Sequence, residues 1–70
     1  MPGLAFSSLR VREKYTITNH GESYDLELVQ FISSSDCILK DIHTLEPIRM
    51  SDITRFGKGK DWEIREYQAV

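Results

Sequence analysis

The sequence has few of the features that would assign it to a definite class of protein. It contains one cysteine, Cys37, and two prolines. A single cysteine excludes an internal disulfide framework and a cysteine-based zinc site, and a reducing compartment therefore fits best. No apolar run approaches the roughly 18 residues of a membrane span. The Met-Pro-Gly start lacks the basic region and long apolar stretch of a secretory signal, so we expect a cytoplasmic protein.

An excess of positive charge is also missing. The formal net charge is −2, which gives no global attraction to nucleic acid, so any anion-binding role must come from a local cluster. Apolar residues at 40% and charged residues at 29% are ordinary for a globular chain and argue against disorder. We predict one domain over residues 1–70, with an N-terminal segment of residues 1–8 packing on it.

Short segments with alternating polarity predict five β-strands. They cover residues 9–18, 23–32, 37–43, 48–50 and 61–67. The parity slips at Val29, which predicts a β-bulge near Val29 and Gln30 that bends the second strand. Gly21 is expected to take a positive φ in the first turn. Ser51 or Asp52 is expected to cap one helical turn, residues 53–55, before the last strand.

These elements predict an all-β fold, a five-stranded antiparallel small barrel with one helical turn before the last strand. The core is predicted to contain Tyr15, Ile17, Leu26, Leu28, Ile38, Ile42, Ile53, Phe56, Trp62 and Ile64. Val11 is expected on the apolar side of the first strand, and Cys37 is interpreted as a small buried thiol.

The order of elements resembles the Src-homology-3-like and Sm-like small β-barrels over residues 9–67. Against the Sm motif, the residues in similar order are Gly21, Tyr24, Leu28, Asp36 and Leu39, and Arg55-Phe56-Gly57 is similar to that family's Arg-Gly step. Glu27 stands where that family has a glycine, and Lys40 replaces the asparagine that helps hold a uracil base. The acidic-aromatic loop motif of Src-homology-3 peptide binders is also missing. The resemblance therefore implies a fold and a binding module, without a transferable ligand pocket.

No residue pattern predicts catalysis. Cys37 and His43 lie six residues apart on one predicted strand. Their separation is therefore about 20 Å at a rise of roughly 3.3 Å per residue, too far for a nucleophile and its base. Gly57-Lys58-Gly59 is too short for a phosphate-binding P-loop. We expect no enzymatic activity.

One end of the predicted barrel collects acidic residues and both histidines. The residues expected there are His20, Glu22, Asp25, Asp41, His43 and Glu46. A divalent-metal site is conceivable, but the spacing favours solvated loop histidines. We expect no metal and no cofactor.

The opposite end is expected to gather positive charge beside an aromatic residue. The candidate nucleic-acid-binding residues are Arg10, Arg12, Arg55, Lys58, Lys60 and Trp62. Cations near glycines and an aromatic ring are typical of phosphate contact with base stacking, which points to weak binding of RNA or DNA. The alternative is a solvated loop with Trp62 in the core, as the inward parity of Ile64 favours. A rival function is protein–protein interaction or homo-oligomerisation through exposed sheet edges and the N-terminal segment.

Overall fold

Five antiparallel strands form one sheet in the computed structural model, which describes residues 3–68. The elements are a 3-10 turn (Phe6–Ser8), β1 (Lys14–Asn19), β2 (Glu22–Phe31), β3 (Cys37–Asp41), β4 (Pro47–Arg49), α1 (Met50–Ile53) and β5 (Glu63–Glu66). The order across the sheet is β4-β3-β2-β1-β5. The mostly β, antiparallel class is confirmed. Within residues 3–68, β4 and β5 are not paired, so the sheet is open rather than a closed barrel. The predicted N-terminal segment and domain also include residues 1–2 and 69–70, which lie outside the described residues.

The first hairpin has the turn chemistry that its sequence predicts. Asn19 pairs with Glu22, and the two residues between them have φ values of 51° at His20 and 79° at Gly21. Two consecutive positive φ values match the right-handed twist of the flanking strands, which is why glycine is favoured in such turns. The positive φ expected at Gly21 is confirmed.

The predicted β-bulge is present in β2. Leu28 pairs with Leu39 and Gln30 with Ile38, so Val29 is an extra residue without a partner on β3. The extra residue reverses the parity of the strand beyond it, because side chains alternate with a period of two. Val29 is accordingly 42% exposed beside the fully buried Leu28.

The core lies on the face of the sheet that α1 and residues 4–8 cover. Its buried apolar residues are Leu9, Tyr15, Ile17, Leu26, Leu28, Cys37, Leu39, Met50 and Ile64. Five of the ten predicted core residues are among them, and the buried Cys37 is also confirmed. Ile53 and Trp62 are half-buried against this cluster.

Three predicted core residues are placed differently. Ile38 and Ile42 are half-buried and lie outside the core cluster, because Cys37 and Leu39 occupy the inner face of β3. The predicted core position of Phe56 is wrong, because the residue is 85% exposed. It follows α1 in the irregular segment that leads to β5.

Several element boundaries also differ from the prediction. β1 starts at Lys14 because residues 10–13 form a turn, in which the amide of Glu13 donates to the carbonyl of Arg10 at 3.3 Å. Val11 lies in this turn and is 45% exposed, contrary to its predicted inward position. α1 begins at Met50, and the carboxylate of Asp52 accepts the amide of Arg49 at 3.3 Å, capping it.

No helix of the described residues is long and apolar enough to cross a bilayer.

The direction of the edge strands decides where the site lies. Each neighbouring pair in the sheet is antiparallel, so β4 and β5 both run opposite to β1. The chain leaving β4 must therefore return along the whole sheet before β5 begins. α1 and the segment after it make this crossing, which brings residues 57–61 to the end of the sheet where β1 finishes.

Candidate nucleic-acid interface

The strongest candidate site is the segment between α1 and β5. We call residues 55–61 the basic loop. Its cations, Arg55, Lys58 and Lys60, are all exposed, and within residues 3–68 none of them forms an ion pair. Their charges are therefore available to an anionic ligand, despite the net negative charge of the chain.

The basic loop is held in place by Asn19 at the end of β1. The Asn19 Nδ2 atom donates to the carbonyls of Ile53 at 3.0 Å and Gly57 at 3.1 Å, and Oδ1 accepts the amide of Gly59 at 2.7 Å. Asn19 is 3% exposed and is the one buried polar residue among those the structure describes. Its side chain satisfies three backbone groups that would otherwise need water, so it fixes the path of the loop.

Asp61 provides a second attachment, to the β1–β2 turn. Its carboxylate accepts the amides of His20 at 2.9 Å and Gly21 at 2.7 Å. The bond from Gly21 is the main reason that the pKa of Asp61 lies below its ordinary value. His20 Nε2 lies 3.0 Å from the carbonyl oxygen of Gly57, which ties the same turn to the middle of the loop.

Trp62 lies at the exit of the basic loop, against the core. Its ring is half-buried, and the Nζ atom of Lys58 lies 5.1 Å from the ring centroid. This contact is a cation–π interaction, so the cation and the aromatic predicted for the site are adjacent. Trp62 also forms one wall of a groove of about 370 Å³ that Phe6 and Met50 help to line. We call this cavity the Trp62 groove.

Phe56 is the site residue that sequence analysis missed. Its ring is exposed, and the guanidinium carbon of Arg55 lies 5.8 Å from the ring centroid. A hydrophobic residue three positions after Ile53 fits a buried helical face, and that pattern placed Phe56 in the core. The following Gly57, with φ of 86°, was the available signal that the helix had already ended.

The structure does not bring Arg10 and Arg12 to this site. The amide of Arg12 donates to the carbonyl of Leu28 at 2.8 Å, close to Lys14 at the start of β1. The basic loop is attached to Asn19, at the other end of the same strand. Five residue steps separate these ends, or about 16 Å. The predicted basic end is therefore divided, because the crossing segment carries Lys58 and Lys60 away from the point where β4 finishes.

The predicted cluster of histidines and carboxylates is also divided. His43 Nε2 lies 2.9 Å from Oδ2 of Asp25, whose other oxygen accepts the hydroxyl of Thr16 at 2.8 Å. These contacts, the one with His43 foremost, lower the pKa of Asp25. His20 instead faces the basic loop. Within residues 3–68 no three histidine, cysteine or carboxylate side chains converge as metal ligands would.

The remaining reactive side chain is Cys37, which lies in the core with no exposed surface. Burial, with a smaller contribution from the charge of Asp36, raises the pKa of the thiol to about 11. A thiol with this pKa is protonated at neutral pH and is a poor nucleophile.

Comparison with models of known protein families, with curated protein sequences and with solved structures gave no match.

Proposed function

We propose that the protein is a non-catalytic binding module that contacts single-stranded nucleic acid weakly through the basic loop and Trp62. The observation that carries the proposal is the combination of three exposed cations, which form no ion pair within residues 3–68, with an exposed phenylalanine on a loop fixed by Asn19 and Asp61. Phosphates would contact Arg55, Lys58 and Lys60, while a base stacks on Phe56. A loop already held in one conformation loses less entropy on binding, so a ligand can bind it through few contacts.

The expected affinity is low, since few phosphates are neutralised and the chain is negative overall. Dissociation constants on the order of 10⁻⁴–10⁻⁶ M are typical of such non-specific contact. Each phosphate contact releases condensed counterions, so the affinity should fall steeply as salt rises.

Fluorescence anisotropy with a labelled single-stranded oligonucleotide, at low and moderate salt, tests the proposal. The variant Lys58→Glu/Lys60→Glu should lose binding without unfolding, because both side chains are exposed. A matched control is Arg10→Glu/Arg12→Glu, which makes the same change in net charge at the other end of β1 and should retain most of the binding. Absence of binding by the unmodified protein at low salt would reject the nucleic-acid function, and equal losses in both variants would reject the assignment to the loop.

Protein association is the second candidate. It is supported by four exposed apolar side chains, namely Val11, Val29, Phe31 and Ile32. Exposed apolar side chains, where they form a contiguous patch, can mark a contact with another protein or a second copy. The edges of the sheet are less suited to it: β4 has three residues and begins with Pro47, and the amide of Leu4 already donates to the carbonyl of Ile64 in β5 at 2.7 Å. Sedimentation equilibrium separates the candidates, because a dimer or ring favours association.

We further propose that the sheet has the architecture of the Src-homology-3-like or Sm-like small barrels, with β4 and β5 left unpaired at its edges. The long, bulged β2 at its centre and the helical turn between β4 and β5 support this architecture. We also propose a cytoplasmic location, which the single cysteine supports.

A further inference from the structure

The Trp62 groove has the size and composition of a small-ligand site. Its volume of about 370 Å³ falls in the range of about 300–1,000 Å³ that such pockets occupy. Apolar walls come from Phe6, Met50, Trp62 and Ile64, so the groove lies between the N-terminal segment on one side and α1 with the basic loop on the other. A flat apolar group would be held between these two sides.

The polar groups of the groove restrict the kind of occupant. Lys58 is the one charged side chain among the lining residues, and no carboxylate is present there. The hydroxyl of Thr54 donates to the carbonyl of Met50 at 3.1 Å and is already satisfied. The hydroxyls of Ser34 and Ser35 line the rim, exposed to solvent and without a hydrogen-bond partner within residues 3–68. They are free to contact the polar edge of a bound group.

We propose that the Trp62 groove takes one base of a single-stranded nucleic acid, with the phosphate beside that base bound by Lys58. The inference rests on the proposed function and adds to it a place where a base is enclosed rather than stacked on the surface. A nucleotide matches the groove in three respects: a planar apolar face for Phe6 and Trp62, a polar edge for the serine hydroxyls, and an anion for Lys58. Charge complementarity thus selects a nucleotide over an uncharged aromatic ligand.

The groove also depends on how the N-terminal segment lies. The amide of Leu4 donates to the carbonyl of Ile64, and a Cβ atom at Gly3 would lie 2.6 Å from that same carbonyl oxygen. A residue with a side chain at position 3 would therefore push the segment away from β5. The Phe6 ring also makes an edge-to-face contact with Phe31, at 5.5 Å between ring centroids. The N-terminal side of the groove is therefore held by two contacts, the backbone hydrogen bond of Leu4 and the ring contact of Phe6.

The test uses the intrinsic fluorescence of Trp62, the one tryptophan of the chain. Two ligands are compared at low salt: a single-stranded oligothymidylate of about eight nucleotides, and an abasic strand with the same number of phosphates. The base-bearing strand should change Trp62 emission saturably and bind more than tenfold more tightly, because the base in the groove contributes about tenfold and a base stacked on Phe56 adds to it. The abasic strand should bind through its phosphates, as anisotropy would report, with little change in Trp62 emission.

Two variants locate the base. Phe6→Ala removes one wall, and Ser35→Phe fills the groove from its rim without altering the charge or the N-terminal segment. Each should lower the affinity for oligothymidylate about tenfold, toward that of the abasic strand, while binding of the abasic strand stays unchanged. Leu45→Ala, an exposed leucine in the β3–β4 turn, is the matched apolar control and should change neither affinity.

The outcomes separate the two proposals. Equal affinity of the unmodified protein for both strands, or unchanged oligothymidylate binding in the groove-filled Ser35→Phe variant, overturns the base site and leaves the phosphate-binding function standing. If neither strand binds at low salt, the proposed function fails and the base site fails with it. Tighter binding of an acidic, tyrosine-containing peptide than of oligothymidylate, with the same change in Trp62 emission, would assign the groove to protein recognition and overturn the inference.

Discussion

Leu28 and Phe56 are both large apolar residues, yet they belong to regions that are built in opposite ways. Leu28 lies at the centre of the sheet with no exposed surface, whereas Phe56 in the basic loop is almost wholly in solvent. The core is held by apolar contact between side chains. The basic loop has few such apolar contacts and is held instead by the hydrogen bonds of the Asn19 and Asp61 side chains.

This difference separates stability from binding. Hydrophobic burial stabilises the sheet and does not depend on any particular polar group. Hydrogen bonds stabilise the conformation of the basic loop and leave its cations and Phe56 exposed. Substitutions in the core should therefore change the free energy of unfolding. Substitutions of exposed loop residues should change ligand affinity, and substitutions at the attachments should change both.

The largest effect is expected for Leu28→Ala. Removing a fully buried leucine side chain leaves a cavity and should lower the free energy of unfolding by about 2–5 kcal/mol. Val29→Ala, at the neighbouring bulge residue on the exposed face, is the control and should cost less than about 1 kcal/mol. Urea denaturation followed by circular dichroism measures both. Equal midpoints for the two variants would show that the bulge does not divide β2 into inner and outer residues as described.

The next largest effect should come from Asn19→Ala. Three backbone groups of α1 and the basic loop lose their partner, at a cost of about 1–3 kcal/mol in the free energy of unfolding. Oligonucleotide affinity should also fall, because the cations are no longer held together. Asn19→Asp keeps an acceptor for the Gly59 amide but places a buried carboxylate oxygen against the carbonyl oxygens of Ile53 and Gly57, so it should be no more stable than Asn19→Ala. A variant with unchanged stability and affinity would contradict the attachment role.

Acid should weaken the loop and the sheet through different carboxylates. The pKa values of Asp61 and Asp25 both lie below the ordinary value, so each carboxylate contributes stability that is present above about pH 4. That contribution is lost as the pH falls through the lowered folded-state pKa values. Carboxyl carbon NMR titration should give midpoints below about 3.9 for both residues.

The variants Asp61→Asn and Asp25→Asn distinguish the two regions. Each should reduce the loss of stability between neutral and acidic pH, but only Asp61→Asn should alter Trp62 emission, since Asp61 directly precedes Trp62 and fixes the loop. Midpoints at or above the ordinary value would rule out the hydrogen bonds that we assign to these carboxylates.

The smallest change in stability is expected for Phe56→Ala. An exposed side chain contributes little to folding, so the free energy of unfolding should change by no more than about 0.5 kcal/mol. Oligonucleotide affinity should nevertheless fall about fivefold or more if one base stacks on the ring. Thermal unfolding and anisotropy on the same samples measure both quantities. A destabilisation comparable to that of Leu28→Ala would show that the Phe56 side chain is buried in the core and would contradict its exposed position.

Local sequence was sufficient for most of the strands and for their turns. The bulge at Val29 follows from the change of parity between Leu28 and Phe31, and the first hairpin follows from His20-Gly21. Interior positions of β1 and the start of β2 alternate cleanly, and Tyr15, Ile17 and Leu26 are buried as predicted. The prediction that Ile38 and Ile42 lie in the core was wrong because both faces of the third strand are apolar, so the pattern did not reveal which face is buried.

The candidate site was predicted only in part. Lys58 lies between Gly57 and Gly59, and Trp62 follows four positions after Lys58, so the sequence alone shows that these residues are close together. The burial of Asn19 could not be predicted, because an asparagine before a glycine turn is typical of an exposed hairpin. Its partners lie 34 to 40 residues further along the chain.

What the sequence by itself determined is the set of strands, the bulge and the chemistry of the basic loop, because alternation, turn residues and charge are properties of neighbouring residues. The tertiary structure decided which charges meet. The parallel direction of β4 and β5 forces a crossing along the sheet, and that crossing places Lys58 and Lys60 beside Asn19 and leaves Arg10 and Arg12 at the other end. Whether two distant segments share an end of a sheet depends on strand direction and chain length between them, and no local pattern encodes either.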